Sequence, residues 1–489
     1  MPFTIYGIVI TFICGGIYLF SKSKKQRFIN LLIVSMFCYL NIDLGYCYKI
    51  GGATIASFVL VALFTSVASL GLLHKLNRSV KKWMVLLMGL IIVGLIMLKV
   101  KSYYCVSPDV GWDIYLFGKD NRVFLTLGFT QFKELIKAIS FILVLSVSYS
   151  ILSYGDWFRV VRKLSVLSKF TIIYNLFEVF YVYVLGKNNI YTVLLQPIFG
   201  LKGSTYTKTV SIGEFFRLQG LFTEPSLYSI CLFMNIILYA LDIYFLNHSV
   251  IVGGKRKKIL LNKAAIAVNL VLMCISMSLT SVLFIFILVV FYIVYKCKTN
   301  PKLIVPILTA AGVCAVVFVK VGFEMVQSGS YYGERIMGCL KIISTIFTTD
   351  DYQHYYDSIK QYNVDGSSIA RIGSSIANIR MTLPENYLVG VGIGNSSAHS
   401  FTSCLITDLG ILGSLVWVKF AFFSNKYGGK LYTIMILLYL AFMMFTSSVH
   451  VFGTDVILMS LFFGVIYAKK DKYKKEEKLI GSLVYLSQG

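Results

Sequence analysis

The sequence predicts an all-α polytopic membrane protein with about thirteen transmembrane helices (roughly 12 to 14). Three observations carry that prediction. Of 489 residues, 57% are hydrophobic and only 14% are charged, with a mean hydropathy of +0.76, far outside the range of a soluble globular chain. Apolar runs of about 17 to 25 residues recur along the whole length, and only helices satisfy their own backbone polar groups inside such runs. Basic clusters, finally, recur on every second connection.

Taken in order, the expected spans are residues 3–20, 28–42, 54–73, 83–98, 134–152, 167–186, 225–246, 264–279, 281–296, 303–321, 401–419, 431–447 and 453–468. An apolar run of about 33 residues around Thr280 is too long for one crossing and is divided there into a tight hairpin. The stretch FTQFKELIKA (129–138) reads as an amphipathic surface helix leading into the fifth span. Trp83, Trp112 and Trp417 fall near span ends, as interfacial anchors do.

The formal charge of +24 would suggest nucleic acid in a soluble protein, but its distribution encodes topology. SKSKKQR (21–27), HKLNRSVKK (74–82), RVVRK (159–163), GGKRKK (253–258), KCKTNPK (296–302), NKYGGK (425–430) and the lysine-rich C-terminal tail alternate with nearly neutral connections. By the positive-inside rule the basic side is cytoplasmic, which places the N-terminus outside and the C-terminus inside. The chain is expected to form a single transmembrane domain over 1–489, with an outer loop at 187–224 and a large, partly helical outer loop at 322–400. That larger loop carries seven acids against five bases.

Ten cysteines, without CxxC or zinc spacing, read mainly as small apolar residues; Cys47, Cys105 and Cys339 fall on the outer side, where pairing is open to them. The first span lacks a basic segment before it and is followed by SKSKKQR, so it is expected to be a retained helix. No P-loop, HExxH or clustered His/Cys set is present, and GVGIGN (390–395) does not have dinucleotide spacing. No metal and no cofactor are expected, and any substrate must arrive already activated.

Polar residues that suggest chemistry concentrate in three stretches. In SSIARIGSSIANIRMTLP (367–384), Ile369, Ile372, Ile376, Ile379 and Leu383 form one apolar stripe, while Arg371, Ser375, Asn378 and Thr382 recur on a separate polar face. Arg380 lies about half a turn from Arg371, so Arg371 is the stronger candidate for a shared cavity; a solvated arginine on a surface helix accounts for it equally. His399 heads the eleventh span, followed by Ser403, Asp408, Gly410 and Gly413. The positive helix end disfavours its charged form and suits a base, although an interfacial histidine bonded to a loop carbonyl fits too. Gly410 and Gly413 read most simply as close-packing positions.

The third stretch, EFFRLQGLFTEPS (214–226), places Arg217 just before a helix that begins at Pro225. An arginine fork and a helix N-terminus both suit phosphate; the plainer alternative is a loop arginine that orders Glu214 or Glu224. Glu178 beside Asn175 in the sixth span is a further candidate, because a carboxylate inside a bilayer is costly, whether functional or protonated and bonded within the bundle. Arg335 opens a helical stretch of the large loop and would supply another cation. Tyr331, Tyr332, Tyr352, Tyr355 and Tyr356 suit stacking on sugars or contact with lipid headgroups.

RLQGLFTEPS (217–226), RIGSSIANIRMTLPENYLVGVGIGN (371–395) and HSFTSCLITDLGILG (399–413) together resemble the Wzy-type O-antigen polymerase and O-antigen ligase family of bacterial polysaccharide assembly. The motifs cover about fifty residues. Asp408 stands where that family more often has glutamate, Ser400 where asparagine is frequent, and Ser226 where an asparagine commonly follows the proline.

The resemblance implies a GT-C-like fold in the bacterial cytoplasmic (inner) membrane. The implied activity is glycosyl transfer outside the cytoplasm from an undecaprenyl pyrophosphate-linked donor to a lipid-linked acceptor, inverting and independent of metal. In that scheme Arg371 and His399 are catalytic, Arg217, Arg371, Arg335 and Arg380 hold the pyrophosphate, and Glu178, Asp408 and Glu224 are secondary. Membrane lipid and a chain-length regulator protein are candidate partners, and nucleic acid is not. A ligase of the same family, or a flippase for the lipid-linked unit, competes with the polymerase reading; the lack of an internal repeat weighs against the flippase.

Overall fold

The computed structural model describes residues 3–42, 47–50, 53–55, 57–100, 104–106, 122–124, 128–186, 195–200, 211–212, 215–222, 225–247, 254–276, most of 278–289, 388–394 and 401–421, with single positions between them. The described chain is largely helical. Its helices are α1 (Ile5–Phe20), α2 (Lys24–Asn41), α3 (Ser57–Leu70), α4 (Arg78–Val100), α5 (Phe129–Ile151), α6 (Tyr154–Val179), the short α7 (Gln196–Phe199), α8 (Pro225–Asn247), α9 (Lys255–Ile275), α10 (Thr280–Val289) and α11 (Phe401–Ala421). Three two-stranded antiparallel hairpins join them: β1–β2 (Tyr48–Ile50 with Ala53–Ile55), β3–β4 (Tyr104–Val106 with Arg122–Phe124) and β5–β6 (Ser211–Ile212 with Phe215–Phe216).

Six of the helices are long and apolar enough to cross a membrane. Side-chain placement agrees with a helical membrane protein: Phe12, Phe20 and Phe170 are 77%, 85% and 64% exposed, whereas Asn41, Asn235, Asp242 and Asn262 are buried. In water that arrangement would be inverted. The expected spans 303–321, 431–447 and 453–468, Trp112, and most of the 322–400 loop lie outside the described residues.

Helix starts follow local chemistry. Thr4 accepts the Gly7 amide at the head of α1, and Ser23 accepts that of Gln26 at the head of α2. Ser153 and Asp156 form a reciprocal capping box, so α6 begins thirteen residues before the expected span at 167. RVVRK is therefore helical, not part of a loop. Its cations are accommodated by partners: Arg162 pairs with Asp242 of α8 at 3.0 Å, and Arg159 donates to Gln26 at 3.1 Å. Likewise Arg78 and Lys255 open α4 and α9, inside clusters read as loops. FTQFKELIKA is the first part of a continuous α5, with Glu134 buried and paired to Lys137 at 2.6 Å, and so is not a separate surface helix. Trp417 is also not an anchor at the surface; it is fully buried, with its ring stacked 6.0 Å from that of Phe141. The division near Thr280 matches the turn at Ser276 between α9 and α10.

Contacts between connections define two ends of the bundle. At one end the basic segments meet: Lys25 pairs with Asp156 at 2.5 Å, the Asn77 amide donates to Ser150 at 3.1 Å, and Lys255 reaches the Asn247 carbonyl at 3.1 Å. The opposite end carries the 47–55 hairpin, the segment at 217–222, the α9–α10 turn and the start of α11. α1 to α6 and α8 to α10 alternate in direction between these ends, and α11 starts from the same end as α10.

At that opposite end the Thr4 amide donates to the Cys47 carbonyl at 3.1 Å. Cys47 is a fully buried free thiol, so it is not the partner of an outer cysteine here. Burial, with Cys14 nearby, pushes it up to about 12. It therefore stays protonated through the neutral range and is a poor nucleophile. Maleimide at pH 8 is expected to leave Cys47 unmodified in the folded protein and to label it after denaturation; peptide mass analysis reads the difference, and rapid labelling in the folded state would contradict the burial.

Candidate functional site

Two polar assemblies are built at the end of the bundle away from the basic clusters. The first is centred on Glu178, one residue before the end of α6, where the helix widens into a π turn at Phe180–Val184. Glu178 is 1% exposed and accepts the backbone amides of Gln219 at 3.2 Å and Gly220 at 2.9 Å. One carboxylate thus holds the chain between the β5–β6 hairpin and α8 in a fixed turn. The turn needs glycine: Gly220 has φ 58°, and a Cβ there would lie 2.5 Å from the Tyr228 ring.

This grip places Arg217, three residues upstream, at the junction of α8, α9 and α10. Arg217 is half-buried, and its Nε donates to the Ser276 carbonyl at 3.5 Å, which puts a cation at the carbonyl-rich end of α9. Beside it, the hydroxyls of Ser229, Ser276 and Ser281 close a triangle with sides of 2.6, 2.7 and 3.2 Å. Ser229 also donates to the Pro225 carbonyl at 2.7 Å, so the triangle rests on the first turn of α8. Ser276 likewise donates to the Met273 carbonyl at 2.8 Å, so the serine protons are committed within the protein, and what suits an anionic oxygen ligand here is a guanidinium beside the positive end of a 23-residue helix.

The second assembly surrounds Asp408. α11 is broken at Gly410, which has φ 66° and ψ −176°. The glycine-rich segment 388–394 crosses the break and satisfies it. The Val391 and Gly392 amides donate to the Thr407 and Asp408 carbonyls at 2.8 and 3.1 Å, and the Leu412 amide donates to the Leu388 carbonyl at 3.2 Å. Asp408, 3% exposed, accepts the Gly394 amide at 3.1 Å, and Gln131 of α5 donates to the Gly394 carbonyl at 3.2 Å. Gly410 is thus a backbone break, which corrects its reading as a packing position.

Of the residues singled out from sequence, Glu178 and the Arg217 segment are brought into contact. Asp408 stands in a different helix group, packed with α4 and α5. Arg371, Arg335, Arg380, His399 and Glu224 lie outside the described residues. Sequence reasoning missed the serine triangle, because serines in apolar runs carry no spacing signal. It also missed Asp242 and Asn235, although charged and amide side chains within the seventh span were visible and are costly in a bilayer.

No protein-family model matches the chain, and no curated protein matches it either.

Proposed function

We propose that the chain is a polysaccharide polymerase of the O-antigen type, a glycosyltransferase that moves glycan from an undecaprenyl pyrophosphate-linked donor to a lipid-linked acceptor unit on the outer side of the bacterial cytoplasmic membrane. The observation that carries this reading is the fixing of Arg217 by the Glu178-held turn against the head of α8 and the serine triangle. It supports a site for a departing pyrophosphate at the end of the bundle opposite the basic segments. In this reading Arg217, Arg371, Arg335 and Arg380 neutralise the leaving group as charge develops. His399 takes the proton from the acceptor hydroxyl, a role worth on the order of 10² to 10⁴ in rate. Attack of that hydroxyl on the anomeric carbon forms the new glycosidic bond and breaks the bond to pyrophosphate with inversion.

Deleting the gene and examining surface polysaccharide by gel tests the reading. Single repeat units on the acceptor without long chains are expected. Loss of all attached glycan, with lipid-linked chains accumulating outside, would instead make the protein a ligase of the same type. Complementation with Arg217→Ala, Arg371→Ala or His399→Ala is expected to restore expression but not long chains, with a loss of about 10² to 10³ for removal of one charge-stabilising donor. Wild-type chain lengths in all three would sink the mechanism.

A lipid-linked oligosaccharide flippase is the second reading, favoured by the broken α11 with its crossing segment, since interrupted helices and buried charges recur in transporters. It requires single units to accumulate on the inner leaflet in the deletion strain.

A further inference from the structure

The flank of the bundle where α1 and α6 both lie against α2 is built differently from the rest of its surface. On α2, Arg27, Asn30, Val34 and Phe37 follow one another at steps of three, four and three, which keeps them within about 80° on a helix of 3.6 residues per turn. All four are half-buried, whereas Leu31, Leu32, Met36 and Leu40 on the other sides of the helix are buried. On α1, Tyr18 and Gly15 are also half-buried, and nothing lies within 4 Å of the place a Gly15 Cβ would occupy. The α2 stripe and these two residues line a crevice that is open at its α1 wall.

Two guanidinium groups stand at the basic end of this crevice. Arg27 lies over the Tyr18 ring, 4.4 Å from its centre, a contact that orients the planar fork. Among the described residues Arg27 has no hydrogen-bond partner: its Nε is buried without one, and its terminal nitrogens are left to the surroundings. Arg159 of α6 donates to Gln26, the residue before Arg27, at 3.1 Å, which brings a second fork to the same turn of α2. Gln26 is itself held by donating to Asn30 at 2.8 Å.

Charge and depth decide what fits between them. Residues 15–42 and 153–170 carry eight cations against one acid, Asp156, and that carboxylate is committed to Lys25 at 2.5 Å and to Ser153 at 2.6 Å. No acid stands in the first turn of α2, whose positive end adds to the excess. An anion at Arg27 must therefore come from outside the described chain. Along α1, Ile5, Val9, Phe12, Leu19 and Phe20 form an exposed apolar stripe that ends where Ser21 and Lys22 follow. In a membrane protein such a stripe lies against acyl chains. Tyr18, and the Arg27 stacked on it, thus stand within a turn of the boundary between acyl chains and headgroups. Val34 and Phe37 lie about 10 to 15 Å further along α2, away from the basic end, and continue the crevice as apolar surface. Cations at headgroup level with an apolar crevice running inward match the shape of one phospholipid.

We propose that this crevice is a binding site for an anionic phospholipid, whose phosphate accepts hydrogen bonds from Arg27 and Arg159 while one acyl chain lies along Gly15, Val34 and Phe37. Bidentate forks suit a phosphodiester better than single ammonium groups do. The site is at the opposite end of the bundle from the Glu178 and Asp408 assemblies, and it does not depend on whether the protein acts as a polymerase or a flippase.

Native mass spectrometry of the full chain in detergent, titrated with phosphatidylglycerol or with phosphatidylcholine of the same acyl chains, tests this. The wild type is expected to retain phosphatidylglycerol several-fold more tightly. Arg27→Gln combined with Arg159→Gln is expected to weaken that retention roughly 10- to 25-fold, at about fivefold per cation near a membrane surface. Lys257→Gln combined with Lys258→Gln, which removes as much charge from the start of α9 at the same end, should leave it nearly unchanged. Gly15→Leu fills the open space with every charge in place; it is expected to weaken retention several-fold and provides the test if the arginine variant is not recovered folded. Equal retention of the two lipids overturns the proposal, and so does full retention in the folded arginine or Gly15 variants. An equal loss in the lysine pair would overturn it by reducing the effect to the general charge of that end. Displacement of the lipid by glycerol phosphate would overturn it in favour of a free anion.

Discussion

Glu178→Ala is expected to destabilise the protein by about 2 to 6 kcal/mol and to abolish long-chain product. The magnitude follows from two buried backbone donors, the amides of Gln219 and Gly220, each left without its acceptor at roughly 1 to 3 kcal/mol. The functional loss follows from position. Without the carboxylate, the Gln219 and Gly220 amides lose the acceptor that sets the height of Arg217 against Ser276 and the first turn of α8. Glu178→Gln should fall between alanine and wild type, since the amide oxygen keeps one acceptor while its nitrogen faces the second amide. Thermal unfolding in detergent measures the first effect, and gel analysis of surface glycan the second. Alanine variants with wild-type melting and chain length would show that the turn is held by other contacts and would remove Glu178 from the site. Chemical addition of carboxylate offers no rescue route, because the position is 1% exposed.

Much of the architecture is written in features that act locally. The apolar runs fixed the existence of the helices. The alternation of SKSKKQR, HKLNRSVKK and RVVRK predicted that these segments meet at one end, and the Lys25–Asp156, Arg159–Gln26 and Asn77–Ser150 contacts bring them there. The errors have one physical origin. A basic residue was read as leaving the membrane, whereas Arg162 remains on α6 because Asp242 approaches from a helix 80 positions later in the chain. Such pairing is a tertiary property that no local window contains. The same limit applies to the site. Glu178 was legible as a buried carboxylate, but its partners are two main-chain amides more than forty residues away, and a main-chain donor leaves no trace in residue type. Gly410 was legible as important and misread as to kind, because a packing glycine and a helix-breaking glycine are the same letter.

That distinction can be measured. Gly410→Ala and Gly390→Ala are each expected to lose more than about 3 kcal/mol, combining backbone strain of roughly 1 to 3 kcal/mol with steric overlap of main chain on main chain. Gly410 and Gly390 have φ of 66° and 71°, and a Cβ on either would lie 2.5 Å from the amide nitrogen of the other. Neither backbone can retreat without giving up the bonds from Val391, Gly392 and Leu412 that satisfy the break in α11. Gly413 is the internal control. Its Cβ would meet the Leu409 Cβ at 2.7 Å, but without a positive φ and without main chain on main chain; Gly413→Ala should therefore cost less than Gly410→Ala by the backbone strain of roughly 1 to 3 kcal/mol. The double variant Gly390→Ala with Gly410→Ala should be little worse than either single one, since the first substitution already opens the crossing that the second would break. Thermal unfolding of the four variants in one detergent decides the matter: equal and small losses at Gly410 and Gly413 would return both glycines to ordinary helix packing and would leave Asp408 on an unbroken helix.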